Sequence, residues 1–286
     1  MTKPRKIKRA SSSRPTLEGA GVHLKRAFGF GDEHLFDPFL LMDDFRGDNP
    51  SDYIKGFPWH PHRGIETITY VLAGDVSHGD SMGNAGVISA GDVQWMTAGS
   101  GIIHQEMPKG DDQGRMYGFQ LWANLPASRK MMDPRYQEMK SAQIPEVTLE
   151  DGVLIRIICG NEGEVTGPVH DIVIDPQYLD ISIPAGVEYR HVTKPNHTVF
   201  VYIFEGEGTF PDAPAEKYGN NSLVLFDSGD EVRMLAGSTG MRLLLISGCP
   251  LGEPISWYGP IVMNTDEELE LAFKEYREGT FIKKKG

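Results

Sequence analysis

The sequence predicts an all-β protein built as a barrel or sandwich and closed by one helix. Three observations predict it. Apolar, β-branched runs bounded by Gly-Asp and Gly-rich turns recur at roughly ten-residue spacing, the signature of such folds. The turn pattern occurs twice in the same order: a strand before Gly74-Asp75 and one before Gly91-Asp92, then a strand before Gly206 and one before Gly229-Asp230. Only one segment, near the C-terminus, carries helical periodicity.

Residues 66–73 (ETITYVLA) open the first half, followed by 86–90, 93–97 and 117–123. These runs are rich in residues that fit a pleated, half-buried surface. Residues 126–145 interrupt the rhythm; 128–139 is polar, contains Pro134, and reads as a linker with helical pieces. The strand pattern resumes at 153–159, 178–183, 198–204, 222–226 and 241–246, which suggests a duplicated β-unit. The helix is expected at about 265–278. Thr265 and Glu268 form a capping-box pair. Leu269, Ala272, Phe273 and Tyr276 share one face, and Gly279 ends it. The expected domains are a basic flexible tail at 1–17, a first barrel at 18–145, and a second barrel at 146–286 that includes the helix.

The net charge of −12, from 28 basic and 40 acidic residues, argues against direct nucleic-acid binding, which needs cationic groups to neutralise phosphates. No stretch approaches the ~20 apolar residues of a membrane span, and the basic start lacks the apolar core of a secretory signal. Cys159 and Cys249 both lie in or at the end of strand-like runs and read as buried free thiols. A reducing, cytoplasmic setting and a monomer are the expectation.

The chemistry is concentrated in His60-Pro61-His62 and His104-Gln105-Glu106. Side chains at i and i+2 of a strand share a face ~6.5 Å apart. Two such strands facing each other surround one ion with three imidazoles and one carboxylate. That donor set suits Fe, Mn, Ni, Cu or Zn rather than Ca or Mg. An unbroken strand from His60 would also put Glu66 on the same face. His23, His34, His78, His170, His191 and His197 lack paired spacing and read as surface or turn residues. Trp59, Arg63, Gln94 and Met96 flank the ligand-bearing turns, and Arg63 could meet either a phenolic substrate or a carboxylate.

The run from His60 through Glu66 to Tyr70 resembles the first cupin motif as the pirin family carries it. Gly91–Pro108 is similar to that family's second motif. Asp80-Ser81, Gly83-Asn84 and the segment from Gly259-Pro260 to Asn264-Thr265 also match. The resemblance implies a bicupin, two stacked jelly-roll-like β-barrels with a C-terminal helix and one divalent transition metal in the first barrel. Iron is the first choice; Mn, Ni, Cu, Co and Zn are alternatives. The implied ligands are His60, His62, His104 and Glu106. Glu66, where ordinary cupins place a ligand, is implied to be a non-ligand. The second barrel offers only Glu205 and Glu207 at the matching turn, so its site is implied to be lost.

Two activities follow from the resemblance. One is a quercetin 2,3-dioxygenase, which opens a flavonol with O2 and releases CO, with Glu106 as first candidate for general base and Glu66 as second. The other is a non-enzymatic metal-binding regulator whose partner is a transcription factor or a metabolic enzyme.

Overall fold

Alternation of apolar and polar side chains builds two β-units, and the chain crosses between them more than once. The computed structural model describes residues 2–284. One compact unit comprises Met1–Ser13, Phe36–Pro38 and Ala142–Pro250; the other comprises Arg14–Leu35, Phe39–Ser141 and Leu251–Gly286. Among the described residues no helix is long and apolar enough to cross a membrane.

The unit containing the histidine pairs has two large sheets and a two-stranded one, Ser256–Tyr258 with Ile261–Met263. Seven strands, including Phe39–Asp44, Ile65–Ala73, Val93–Thr97 and Tyr117–Asn124, form one large sheet; Phe57–His62, Asp75–Asp80, Ala85–Ile88 and Ile102–Lys109 form the other. The large sheets do not close into a continuous barrel. They face each other as a jelly roll does, and side chains from one reach the other across the interior. The second unit is a nine-stranded sheet assembly wrapped around a core of Val, Ile, Leu and aromatic residues, among them Ile157, Ile181, Val201, Phe210 and Leu243.

Four expectations change. The basic N-terminus is not a free tail. Ile7–Ser12 is a strand paired antiparallel with Ser222–Phe226, and Arg14–Glu18 pairs with Val22–Phe28 in the other unit. Arg5 is buried because its guanidinium donates to Thr193 Oγ1 and to the carbonyls of Asp227 and Lys194. The presumed linker contains a strand, Arg135–Met139, which completes the edge beside Val93–Thr97. Residues 251–286, with the helix, belong to the unit of the histidine pairs and not to the second one. Cys159 is buried, but Cys249 lies past the end of its strand and is exposed.

The helix itself, Asp266–Glu278, forms as its sequence directs. Thr265 and Glu268 make the reciprocal capping box, and Gly279 takes the left-handed conformation with φ 71°. Arg63 holds this C-terminal segment in place. Only 2% exposed, it donates to Ser100 O, to Glu275 Oε2 at 2.7 Å and to Phe281 O at 2.7 Å, and stacks on the Phe281 ring. Arg63 is therefore committed to structure and does not face a substrate. Arg63→Ala leaves Glu275 with Lys283 as its ion-pair partner and removes the donor from two carbonyls, which should cost roughly 2–3 kcal/mol. Denaturant titration and protease cleavage around residue 279 would read this; unchanged stability and cleavage would show that the segment is held otherwise.

Candidate metal centre

Phe57–His62 and Ile102–Lys109 are antiparallel neighbours, with His104 directly opposite His60 and Ile102 opposite His62. The alternation therefore turns His60, His62 and His104 onto one face. Ligand atoms of the three rings all lie within 4.8 Å of one another. His62 and His104 are each 2% exposed, while His60 is half-buried.

The tautomers follow from the hydrogen bonds. His60 Nδ1 lies 3.0 Å from Pro58 O, and His62 Nδ1 lies 3.1 Å from Pro260 O. A carbonyl can only accept, so both rings carry their proton on Nδ1. That leaves two Nε2 lone pairs facing each other at 3.1 Å. Two acceptors at that distance repel unless a cation stands between them. His104 adds a second sign: neither of its buried ring nitrogens has a protein partner. Buried polar atoms without partners are uncommon and call for an explanation such as a bound ion. Burial, reinforced by His60 and His104, holds the His62 pKa well below the usual imidazole value. Burial and the neighbouring His60 and His78 do the same for His104. Neutral imidazoles are what a metal needs. The donors fit one transition-metal ion.

Glu106 stands apart from the three rings. Its strand pairs without interruption with Asp75–Asp80, so Glu106 keeps the His104 face, and the bulge between them lies in the Phe57–His60 segment of the neighbouring strand. Its carboxylate accepts from Thr69 Oγ1 at 3.2 Å and from Gln120 Nε2 at 3.2 and 3.3 Å. It still lines the same cavity as His60 and His62.

Glu66 is not brought to the site. Gly64, at φ 77°, ends the histidine strand, and the chain re-enters in the other sheet as Ile65–Ala73. Along that strand Glu66 points to the face opposite Thr69. Its carboxylate takes bonds from Thr97 Oγ1 at 2.6 Å and Trp95 Nε1 at 3.1 Å, and burial raises its pKa. Gln94 and Met96 are buried, not at a rim; Gln94 donates to Glu138 and contacts His78. Trp59 points outward and is half-exposed. His78, His191 and His197, expected on the surface, are buried within polar networks: His78 near Glu138, His191 between Tyr189 and Gln177, His197 beside Asp175.

The site opens into a cavity of about 780 Å³ walled by Phe30, Leu41, Phe57, Trp122, Trp257 and Tyr258. Trp122 meets the His62 ring edge-on at 5.1 Å, Trp257 lies 6.2 Å beyond it, and Phe30 closes on Trp257 at 5.5 Å. Sequence reasoning missed Thr69, Gln120, Trp122, Trp257 and the Pro260 carbonyl. Only Gly259-Pro260 left a signal there, as part of a longer motif whose role at the site could not be read.

Comparison with known families agrees with this architecture. The Pirin model matches residues 21–123 and the model of the Pirin C-terminal cupin domain matches residues 178–282. The chain belongs to the pirin family. A pirin-like protein of Caulobacter vibrioides is 42% identical over 278 residues, 97% of this chain and 99% of the relative. Pirin-1 of Arabidopsis thaliana is 39% identical, over 91% of this chain and 88% of its own. Among solved structures, a quercetin 2,3-dioxygenase from Acinetobacter baumannii superposes with a TM-score of 0.89 at 31% identity, covering 97% and 98% of the two chains.

His104→Ala should remove most of the metal bound per chain, whereas Glu66→Gln should leave it unchanged; elemental analysis of the purified variants checks both. The depressed His62 and His104 pKa values also set a pH dependence for the metal-free protein. Below the unfolded imidazole pKa of ~6.5 the unfolded chain binds protons that the folded one refuses, so stability falls as pH drops. Denaturation midpoints of apo-protein between pH 7 and pH 5 should decline, and the decline should shrink in His62→Gln.

Proposed function

We propose that this protein is a metal-dependent dioxygenase of the quercetin 2,3-dioxygenase type, opening the flavonol heterocycle with O2 and releasing the excised carbon as CO. The observation that carries this reading is a three-histidine group opening onto an aromatic cavity of about 780 Å³. That volume lies within the ~300–1,000 Å³ typical of small-molecule sites. The likeness to the Acinetobacter baumannii quercetin 2,3-dioxygenase supports it.

In this reading His60, His62 and His104, with Glu106 as the fourth ligand, hold one divalent transition metal. Iron is the first choice, and Mn, Ni, Cu, Co and Zn satisfy the same donor set. The bound cation supplies Lewis acidity, which makes a phenolic hydroxyl acidic. The residues do the rest. Trp122 and Trp257 offer faces and edges on which a planar polyphenol packs. Glu106 takes the 3-hydroxyl proton. Its hydrogen bonds to Thr69 and Gln120 keep the carboxylate within the cavity and compensate its charge. Arg26, paired with Asp43 through two bonds of 2.8 Å, adds a polar stretch to the same cavity wall. Filling the aromatic mouth excludes water from the reacting ring.

Protein loaded in turn with Fe, Mn, Ni, Cu or Co should consume O2 and release CO when given quercetin. CO absent with every metal would leave the non-enzymatic regulatory reading in place. Glu106→Gln should lower turnover by about 100-fold, the range of a lost general base, while most of the metal stays bound. Parallel loss of metal and turnover would reduce Glu106 to a ligand without a proton role.

A further inference from the structure

Behind Glu106 lies a second, narrow cavity of about 30 Å³ whose walls are largely apolar: Val22, Leu24, Phe45, Phe57, Val76 and Met116. We propose that this cavity is a dioxygen site that supplies the metal centre from the interior, while the aromatic mouth takes the phenolic substrate. The inference rests on the dioxygenase reading and assigns its two substrates to different entrances.

Size makes the first argument. A single water needs a cavity of roughly 10–15 Å³, so this one has room for about two. It can accept a diatomic molecule and cannot accept an aromatic ring.

Polarity makes the second. A buried water needs two to four polar partners, and the donor hydrogens on this wall are largely spent, which leaves only carboxylate lone pairs of Asp43 and Glu106. Asp43 accepts two bonds from Arg26. The Tyr53 hydroxyl donates to Gly114 O at 2.8 Å. Thr69 and Gln120 both donate to Glu106. Largely apolar protein cavities take up apolar gases such as xenon. Oxygen is an apolar gas of comparable size.

Position makes the third. Phe57, Asp43, Glu106 and Gln120 line both the narrow cavity and the aromatic one. The Phe57 ring lies 6.5 Å from that of His60. A molecule leaving the narrow cavity past Phe57 and Glu106 therefore emerges beside the three histidines. A flavonol packed against Trp122 and Trp257 would occupy the solvent-facing route, and the inner cavity would keep a second one open.

The test uses xenon as a probe together with oxygen kinetics. Crystals of the metal-loaded protein pressurised with xenon should show one xenon atom between Val76 and Met116. Val76→Ile and Val22→Ile each add one methylene to the wall; they provide two independent fillings should one of them fail to fold. Each should displace the xenon and raise the KM for O2 several-fold, with the KM for quercetin unchanged. No xenon in the wild-type cavity overturns the proposal. So does an unchanged KM for O2 in variants that have lost the xenon. Failure of the dioxygenase reading is separate, since it shows as no CO from quercetin with any metal. The cavity is then read from the rate at which O2 oxidises Fe(II)-loaded protein, which the fillings should slow several-fold; an unchanged rate again overturns the proposal.

Discussion

Two hydrogen bonds from imidazole to backbone set the terms for the rest of the site. Pro58 O and Pro260 O fix the protons of His60 and His62 on Nδ1 and aim both Nε2 lone pairs at the same point. Much of the surrounding structure keeps Pro260 where it is. Lys130 is buried, and its ammonium donates to Gly64 O and Val262 O, joining the turn after the histidine strand to the segment that carries Pro260. A further bond to Asn124 Oδ1 completes its donor set. Arg63, adjacent to His62, grips the far end of the same C-terminal segment through Glu275 and Phe281. The C-terminal helix thus has a role at the centre although none of its residues touches the ligands' ring nitrogens.

The two cupin units differ most in what fills their interiors. In the second, close-packed aliphatic and aromatic side chains occupy the space between strands. Glu205 and Glu207, within the strand Thr198–Phe210, form ion pairs with Arg242 and Lys217. In the first, apolar residues such as Phe39, Ile68, Tyr70 and Phe119 are as deeply buried, and the interior also carries Thr69, Gln94, Glu106 and the three histidines. Buried polar groups persist there because nearly every one has a partner. Ser100 Oγ and Asn124 Nδ2 lack one, and His104 stands out because neither of its ring nitrogens has any.

Local features were legible in the sequence and long-range ones were not. The i, i+2 spacing of His60 and His62 and of His104 and Glu106 reads directly as alternation on strands. The helix reads from Thr265, Glu268 and Gly279, because a capping box and a left-handed stop are made by near neighbours. Glu66 misleads because the spacing assumes an unbroken strand, and one glycine moves the chain to another sheet. The N-terminal run looks like a solvated tail until its partner, more than two hundred residues away, supplies the ladder for Ile7–Ser12. His78, His191 and His197 are buried by residues brought together only by topology. The Pro260 carbonyl is invisible to any reading of side-chain types, since every residue has one.

The central claim is that three histidines bind one metal through a geometry already set by the backbone. The most direct measurement is a crystal structure of metal-loaded protein with the ion located by its anomalous scattering. A single ion is expected against Nε2 of both His60 and His62 and a ring nitrogen of His104, at the ~2.0–2.2 Å typical of such bonds, with the Pro58 and Pro260 contacts intact. An ion bound through Nδ1 of either anchored ring, or one lying elsewhere with the two Nε2 atoms still facing each other, would contradict the claim.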